Sequence, residues 1–394
     1  MKKIGVVFGG VTCEHDVSIV TGIQLIDNMD KSKYEVYPIY IHSDGEWYID
    51  QKLLDTKIYK EFDLYKSGIE KGCILPGKRG ITMKGKGLLN KEVFIPLDVV
   101  IPAMHGMNGE DGTLQGLLEL SNIPYTSSGV LGASIGMDKI LMKKVFEAYS
   151  LPVIPYTYFL RSEWEKDRDL VVQKIEENIE YPMFVKPSNL GSSIGISKVK
   201  NRDELIVGID IAKSFDERII VEHGIENVKE VNCSALGRAE DVIASTTEQP
   251  VCWKDFLTFD EKYINGAKSK NENSGMASMS RKVPAEITDE QTDKVRDLTI
   301  KAFKALNSKG VARVDFLIDN SDGKVYINEI NTIPGSFAFY LWEHDGMKYT
   351  DLIDRLIDIA EKEHEEKNKN NYTYKSDIIG NLGNGLKNSS LKKD

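Results

Sequence analysis

Carboxylate and amide side chains recur near the end of the chain, in a segment that has the pattern of a β-hairpin. Apolar and polar residues alternate in VARVDFLI and again in VYINEIN, and turn formers fill DNSDGK between them. Residues two apart on a strand share a face, so Glu329 and Asn331 point the same way, and a paired Asp315 can join them. Two carboxylates and an amide oxygen suit a hard divalent cation such as Mg²⁺, which would also hold nucleotide phosphates. The alternative is the ordinary polar face of a hairpin.

An arginine lies on the same predicted face. Arg313 precedes Asp315 by two residues on the first strand of the hairpin. An arginine beside metal-binding acids suits the stabilisation of negative charge that develops during a reaction. An internal ion pair is the competing explanation.

Two glycine-rich loops in the first third of the chain carry further polar residues. The first, GGVTCEHDVS, lies between a strand and a helix, where Glu14 would repel a phosphate but could bind an ammonium group. The second, HGMNGEDGTLQG, places His105 at a strand end as a proton shuttle or an oxyanion donor. Its Glu110 and Asp111 are predicted to cap the helix TLQGLLEL. A plain surface turn is the alternative for the first loop.

A third loop, KPSNLGSSIG, has the composition of a mobile loop that covers phosphates. Lys186 ends a strand and is followed by a Gly-Ser-Ser turn, which offers a charge together with backbone and hydroxyl donors. A flexible hairpin turn is the alternative. The chain has neither a Walker A motif nor GxGxxG, so a dinucleotide-dependent dehydrogenase is disfavoured.

The elements that must position these residues follow an α/β order. The first hundred-odd residues read strand, loop, helix, strand, which predicts a doubly wound parallel sheet. Near Leu131 a second region begins, with a helical run over DKILMKKVFEAYSLP that Pro152 ends, two strands around the Gly-Ser loop, and more strands over 221–247. The polar stretch 264–282 is predicted to be a functional or disordered loop, and the tail 368–394 to be weakly ordered.

Composition limits the kind of protein. The chain has 394 residues, of which 41% are hydrophobic and 28% charged, as in an ordinary globular protein. Its net charge of −10 argues against a nucleic-acid partner. The apolar runs are too short for a signal peptide or a membrane span, and the four cysteines have no zinc-binding spacing. We therefore expect a cytoplasmic protein with free thiols.

The motifs taken together identify a family. In order and spacing, GGVTCEHDVS, HGMNGEDGTLQG, MDK, VKPSNLGSSIG, ARVDF and NEINTIPG resemble the D-alanine–D-alanine ligases of the ATP-grasp superfamily, from about Met1 to about Glu363. The resemblance implies an N-terminal Rossmann-like domain over 1–128, a central ATP-grasp subdomain over 129–220, and a catalytic domain over 221–367. It also implies D-alanine and ATP as substrates, an acyl-phosphate intermediate, and a homodimer.

The resemblance also implies roles for individual residues. By this resemblance, the ATP phosphates are bound by Lys139, Lys186 and Lys262, and the nucleoside is bound by Glu222 and Glu230. Two Mg²⁺ (or Mn²⁺) ions are bound by Asp315, Glu329 and Asn331. The first amino acid is bound by Glu14, which has Ser192 and Tyr263 as its partners, and by His105. The oxyanion hole is formed by Arg313 and the backbone of Gly335.

Two positions bear on the second substrate. The tyrosine at 263 goes with dipeptide formation in this family, whereas a histidine there goes with ester-forming relatives. Tyr340 stands where the family has a serine that holds the acceptor's carboxylate, so a different acceptor amino acid stays an alternative, as does a binding protein without turnover. We expect Tyr340→Ser to shift the acceptor preference towards D-alanine.

Overall fold

A mainly parallel sheet begins the chain in the computed structural model, which describes residues 1–84, 92–251 and 281–374. Its strands are β1 (Lys2–Gly9), β2 (Tyr34–Ile41), β3 (Trp47–Ile49) and β7 (Val99–Pro102), in the order β3-β2-β1-β7. The central strand β1 runs parallel to β2 and β7 and is almost entirely buried, as strands covered on both faces are. Helix α1 (His15–Asn28) follows β1. The predicted parallel sheet is confirmed.

A small antiparallel sheet that the sequence patterns did not predict follows the first three strands. It consists of β4 (Gly72–Ile74), β5 (Gly80–Lys84) and β6 (Glu92–Pro96), and helix α2 (Phe62–Tyr65) precedes it. These strands are only three to five residues long, too short for a clear alternation of apolar and polar residues. Helix α3 (Thr113–Leu120) follows β7.

A four-stranded antiparallel sheet and its helices form the middle of the chain. The helices are α4 (Val130–Met137), α5 (Lys139–Ala148), α6 (Arg161–Lys166), α7 (Arg168–Asn178) and α8 (Arg202–Ala212). The strands are β8 (Tyr156–Leu160), β9 (Met183–Pro187), β10 (Ser197–Val199) and β11 (Arg218–His223), in the order β10-β9-β11-β8. The two strands predicted around the Gly-Ser loop are β9 and β10, which pair antiparallel.

A five-stranded sheet carries the predicted hairpin. Its strands are β12 (Val228–Arg238), β13 (Asp241–Pro250), β14 (Arg281–Lys282), β15 (Gly310–Asp319) and β16 (Val325–Asn331), in the order β14-β13-β12-β15-β16. The helices are α9 (Asp289–Ala305), α10 (Phe339–His344) and α11 (Tyr349–Lys367). Helix α9 begins with a capping box between Thr288 and Gln291.

The predicted long loop and tail are only partly described. The loop prediction is wrong at its end, because Arg281 and Lys282 form β14 and pair with Pro250 and Gln249. Residues 264–280 lie outside the described residues, as do 375–394 of the predicted tail. Within the described part of the chain, no helix is long and apolar enough to cross a membrane. Cys13, Cys73 and Cys233 are free thiols, as expected, and Cys252 is not described.

The last helix, α11, packs into the same hydrophobic core as the first strand, β1. Leu352, Ile353 and Leu356 of α11 belong to the same hydrophobic core as Ile4 and Phe8 of β1. Burial of such side chains contributes about 1.5–3 kcal/mol each. This shared core holds the loop after β1 close to the strands that carry the hairpin acids.

Candidate active site

The hairpin β15–β16 gathers the four polar residues that the sequence pattern assigned to one face. In its antiparallel register Arg313 is opposite Asn331 and Asp315 is opposite Glu329. Directly opposite residues on one face of a sheet have their Cβ atoms about 4.5–5.5 Å apart. The predicted juxtaposition is confirmed, and it depends on a one-residue shift of the register between Asp315 and Phe316, because the register that begins at the turn would place Asp315 opposite Asn328.

Within this group, Asp315 is held from two sides. The Arg313 Nε and second terminal nitrogen donate to the two Asp315 oxygens at 2.7 and 2.8 Å, and Asn331 Nδ2 donates to Oδ2 at 3.1 Å. Burial lowers the pKa of Arg313, but the attraction to Asp315 is stronger and raises that pKa well above its ordinary value. The internal ion pair, which was the alternative explanation for Arg313, is therefore present. Arg313 can still bind a further anion, because a guanidinium has five donors.

The donor set of the hairpin fits a hard divalent cation. Asp315 and Glu329 offer carboxylate oxygens, and Asn331 has used its amide N–H and so would offer its carbonyl oxygen. In residues 1–84, 92–251 and 281–374, no group of three or more His, Cys, Asp or Glu side chains could hold a metal ion. Two acids with one amide, all oxygen ligands, therefore form the candidate site, and the set suits Mg²⁺ better than zinc.

The predicted phosphate lysines approach the hairpin from the middle of the chain. Lys139 Nζ donates to the carbonyl of Leu190 at 2.8 Å and lies 3.6 Å from Glu329 Oε2. Lys186 Nζ donates to Glu222 Oε2 at 2.6 Å, and both side chains are buried. The structure therefore places Lys139 between the Gly-Ser loop and a candidate metal ligand.

Sequence reasoning missed a third lysine, Lys143. Its side chain is completely buried, and its Nζ lies 3.1 Å from Glu222 Oε1. Burial would raise the pKa of Glu222, but Lys143 and Lys186 together lower it to about 2. The signal was present in the sequence, because Lys143 follows Lys139 by four residues and so shares its helix face.

The carboxylate of Glu14 lies in a cradle formed by loops from two parts of the chain. The hydroxyl of Ser192 donates to Glu14 Oε1. A Cβ on Gly106 would come within 2.6 Å of Glu14 Oε2, and one on Gly191 within 2.9 Å. Only glycine permits so close an approach, and Gly106 also has a left-handed φ of +73°. The predicted contact between Glu14 and Ser192 is confirmed.

His105 is buried between α1 and the end of the hairpin. Its Nε2 lies 2.9 Å from Thr21 Oγ1, and its ring also forms a hydrogen bond with the backbone of Ile333. Burial lowers the pKa of His105 to about 4, which keeps the ring neutral at pH 7. A neutral imidazole has one donor and one acceptor nitrogen.

The burial of His105 predicts a pH-dependent stability. The unfolded chain binds a proton at the ordinary pKa of 6.5, whereas the folded chain does not until about pH 4, so stability falls as the pH drops through this window. Between pH 7.5 and pH 5, protonation of His105 is expected to lower the free energy of unfolding of the wild type by about 2 kcal/mol. The His105→Gln variant should not show this part of the decrease. Urea unfolding of both proteins at each pH measures it, with the exposed His344→Gln as control. An equal loss in wild type and His105→Gln would contradict the prediction.

The predicted capping role is wrong for Glu110. Asp111 does accept the N–H of Thr113 in the first turn of α3, at 3.0 Å. Glu110 instead accepts the N–H of Gly106 at 2.8 Å and that of Ile333 at 3.1 Å. Its carboxylate therefore bridges the His105 loop and the segment that leads to Gly335.

The environment of Glu110 shows which groups surround the centre of the site. Burial raises the pKa of Glu110 to about 8; Glu14 raises it too, and Arg313 acts against this rise. Through these electrostatic interactions both Glu14 and Arg313 act on one half-buried carboxyl group. The structure thus brings together Glu14, the acid predicted to bind an ammonium group, and the hairpin's Arg313, which are 299 residues apart in sequence.

Of the remaining predicted site residues, the structure describes Gly335 and Glu230. Gly335 begins a short turn whose next residue, Ser336, binds Thr21 through its N–H at 3.3 Å and Gln24 through its hydroxyl at 2.7 Å. Glu230 lies on β12 and acts electrostatically on Lys186. Lys262 and Tyr263 lie outside the described residues.

Comparison with known proteins finds relatives that match most of the chain. Two family models match it, "D-ala D-ala ligase N-terminus" over residues 3–128 and "D-ala D-ala ligase C-terminus" over residues 145–358. The chain is 41% identical over 374 residues to the D-alanine–D-alanine ligase of Thermoanaerobacter sp. (strain X514), covering 93% of this chain and 98% of the relative. It is 41% identical over 375 residues to that of Bacillus cytotoxicus, covering 94% and 99%.

Solved structures extend the likeness to three dimensions. The D-alanine–D-alanine ligase from Coxiella burnetii superposes with a TM-score of 0.78 at 28% identity, covering 93% of this chain and 96% of that one. The VanG D-Ala:D-Ser ligase from Enterococcus faecalis superposes with a TM-score of 0.76 at 29% identity, covering 91% and 99%.

Proposed function

Because the chain belongs to the D-alanine–D-alanine ligase family, we propose that it uses ATP to join two D-alanine molecules for peptidoglycan precursor synthesis. One observation carries this proposal beyond the family likeness. Glu110 joins the loop that surrounds Glu14 to the segment before Gly335, and Arg313 lies within its electrostatic reach. A site for an ammonium group and a site for a developing oxyanion are thereby adjacent, as amide synthesis from amino acids requires.

Glu14 binds the ammonium group of the first D-alanine in this proposal. Its carboxylate is buried, so the attraction to a cation is little screened by water. Ser192 and Tyr263 act as its partners and close the site. His105, held neutral, lies near the carboxylate of the same D-alanine, with its ring held by Thr21 and the backbone of Ile333.

The chemistry proceeds through an acyl phosphate. The carboxylate of the first D-alanine takes the terminal phosphoryl group of ATP, and the amine of the second attacks the carbonyl carbon of the resulting mixed anhydride. Arg313 and the N–H of Gly335 stabilise the oxyanion of the tetrahedral intermediate, which collapses to dipeptide and phosphate. The phosphates are held by Lys139, Lys186 and Lys262, and the nucleoside by Glu222 and Glu230.

In this proposal two Mg²⁺ or Mn²⁺ ions would be held by Asp315, Glu329 and Asn331. Bound there, they would supply positive charge opposite the phosphates, because phosphoryl transfer depends mainly on positioning and charge stabilisation. Lys143 keeps Glu222 ionised and fixed beside Lys186, so that the nucleoside acid is oriented before ATP arrives.

Further features of the family also belong to the proposal. We propose division into domains over 1–128, 129–220 and 221–367 with a flexible tail over 368–394, a homodimer, a cytoplasmic location, and no nucleic-acid or membrane partner. Size-exclusion chromatography with light scattering tests the dimer.

The test of function is ATP turnover with defined amino acids. Purified protein with Mg²⁺, ATP and D-alanine is expected to release one phosphate per dipeptide, with a product of the mass of D-alanyl-D-alanine. L-alanine serves as control and should give neither. If phosphate appears only with a mixed pair such as D-alanine and D-serine, a different acceptor is established. If no pair gives turnover, the ligase proposal fails.

A further inference from the structure

A cluster of four side chains lies on the strands beside the hairpin, and we refer to it as the Tyr340 cluster. It consists of Asn232 on β12, Glu248 on β13, Arg281 on β14 and Tyr340 on α10. Glu248 Oε1 accepts from the Tyr340 hydroxyl at 2.7 Å and from Asn232 Nδ2 at 3.0 Å, and its Oε2 accepts from Arg281 at 2.9 Å. Glu248 thus holds both Arg281 and Tyr340 in place.

The guanidinium of Arg281 lies over the aromatic ring of Tyr340. Its central carbon is 3.9 Å from the ring centroid, the distance of a stacked cation–π contact. Burial and Glu248 raise the pKa of Tyr340, so the ring stays a neutral phenol. The arginine side chain is therefore fixed at two points, by the ring and by the carboxylate.

The cluster adjoins the reacting centre. Tyr340 and Glu248 both act electrostatically on Arg313, the arginine proposed for the oxyanion hole. Asn232 is directly opposite Asp315 in the β12–β15 register. A molecule whose amine attacks beside Arg313 would thus have its other end close to Tyr340 and Arg281.

The acceptor amino acid has a chemical need that this cluster can meet. At neutral pH it carries a carboxylate two bonds from its attacking amine, and a buried carboxylate requires a cationic or hydrogen-bonding partner. Arg281 keeps 11% of its side-chain surface exposed, whereas Glu248 keeps 3%, so the arginine is the member of this ion pair that a ligand can reach. A guanidinium can bind a second carboxylate while it keeps the first, because its donors point along more than one edge.

We propose that Arg281 binds the carboxylate of the acceptor D-alanine, with Tyr340 as its platform and Glu248 as its anchor. The inference rests on the proposed function and deepens it, because it assigns the acceptor class: an amino acid with a free α-carboxylate. The phenol at 340 then takes the place of the expected serine as part of a rebuilt acceptor site, which uses a cation where the family uses a hydroxyl. On this proposal Tyr340→Ser removes the platform of Arg281 and lowers the preference for D-alanine, the opposite of what the resemblance alone predicts.

The experiment is a competition between two acceptors in one reaction. The full-length protein receives ATP, Mg²⁺, D-alanine and D-alaninamide; the amide has no carboxylate and can act only as acceptor. Mass spectrometry gives the ratio of D-alanyl-D-alanine to D-alanyl-D-alaninamide. This ratio does not depend on how much protein is folded, on ATP affinity or on the first D-alanine.

We expect wild type to favour D-alanine strongly and Arg281→Met to reduce the ratio roughly 10- to 100-fold, the loss of one charge-assisted pair. Arg281→Lys should reduce it less, because lysine binds a carboxylate at one point. If Arg281→Met does not fold, the product ratio of Arg281→Lys provides the test in its place. Lys282→Met removes the same charge from the neighbouring residue, whose ion pair with Glu286 is exposed, and should leave the ratio unchanged.

Two results would overturn the inference and are distinguishable. If wild type makes D-alanyl-D-alanine and the Arg281 variants keep the wild-type ratio, Arg281 does not bind the acceptor carboxylate, even where total turnover falls. If wild type makes no dipeptide, the proposed function itself fails and the inference fails with it.

Discussion

Replacing Glu329 with glutamine is expected to lower kcat for dipeptide formation at least ~100-fold, since loss of a group that only supports a metal ligand already costs about 10- to 100-fold. Glutamine keeps the shape of the side chain but removes the charge. Glu329 lies opposite Asp315 and 3.6 Å from Lys139, so this charge is where metal and phosphate would meet. The measurement is phosphate release across a Mg²⁺ titration, in which half-saturation should move to higher Mg²⁺.

Its control is Asp322→Asn, on the turn of the same hairpin. Asp322 is exposed, pairs with Lys324, and lies outside the group formed by the four polar residues. That variant should keep the wild-type Mg²⁺ titration. Near-normal turnover of Glu329→Gln, with the fold intact by circular dichroism, would rule out Glu329 as a metal ligand.

Replacing Arg313 with methionine is expected to lower kcat by about 10²–10³-fold, the typical cost of one oxyanion-hole donor. Arg313 is half-buried beside Asp315 and interacts electrostatically with Tyr340 and Glu248. The KM for ATP should change less than kcat, because the charge that Arg313 stabilises develops only after ATP has bound. Steady-state kinetics with D-alanine and ATP measure both.

Two variants separate this role from the ion pair. Arg313→Lys keeps the charge but loses the fork, and should retain more activity than Arg313→Met. Arg238→Met removes an arginine that pairs with Glu363 away from the site, and should retain full activity. If Arg313→Met lost activity only through a raised Mg²⁺ requirement, its role would be to hold Asp315, and the oxyanion assignment would be wrong.

The sequence pattern predicted the two strands of the hairpin well because the side chains of a strand alternate between its two faces. The strand period pairs Arg313 with Asp315 and Glu329 with Asn331, but it does not predict the one-residue register shift between Asp315 and Phe316 that brings the two pairs onto one face. The motif order then predicted the family, and the contact between Glu14 and Ser192, across 178 positions, followed from the resemblance and from no local pattern.

Other members of the site could not be read from local patterns. Glu110 lies before a helix, where capping is the usual role of an acid, yet its partner Ile333 is 223 residues away. The Tyr340 cluster brings together three strands and one helix, and no local pattern predicts its contacts, since stacking of Arg281 on Tyr340 depends on the pairing of β13 with β14. Such contacts are decided by tertiary packing.

Ligation of D-alanine through an acyl phosphate transfers one oxygen atom from the donor carboxylate to phosphate, and isotope labelling follows that atom. D-Alanine labelled with ¹⁸O in its carboxylate is incubated with ATP, Mg²⁺ and the protein, and the phosphate and dipeptide are examined by mass spectrometry. We expect D-alanyl-D-alanine, ADP, and phosphate that carries one ¹⁸O atom from the donor carboxylate. Unlabelled phosphate, or AMP and pyrophosphate as products, would contradict this mechanism.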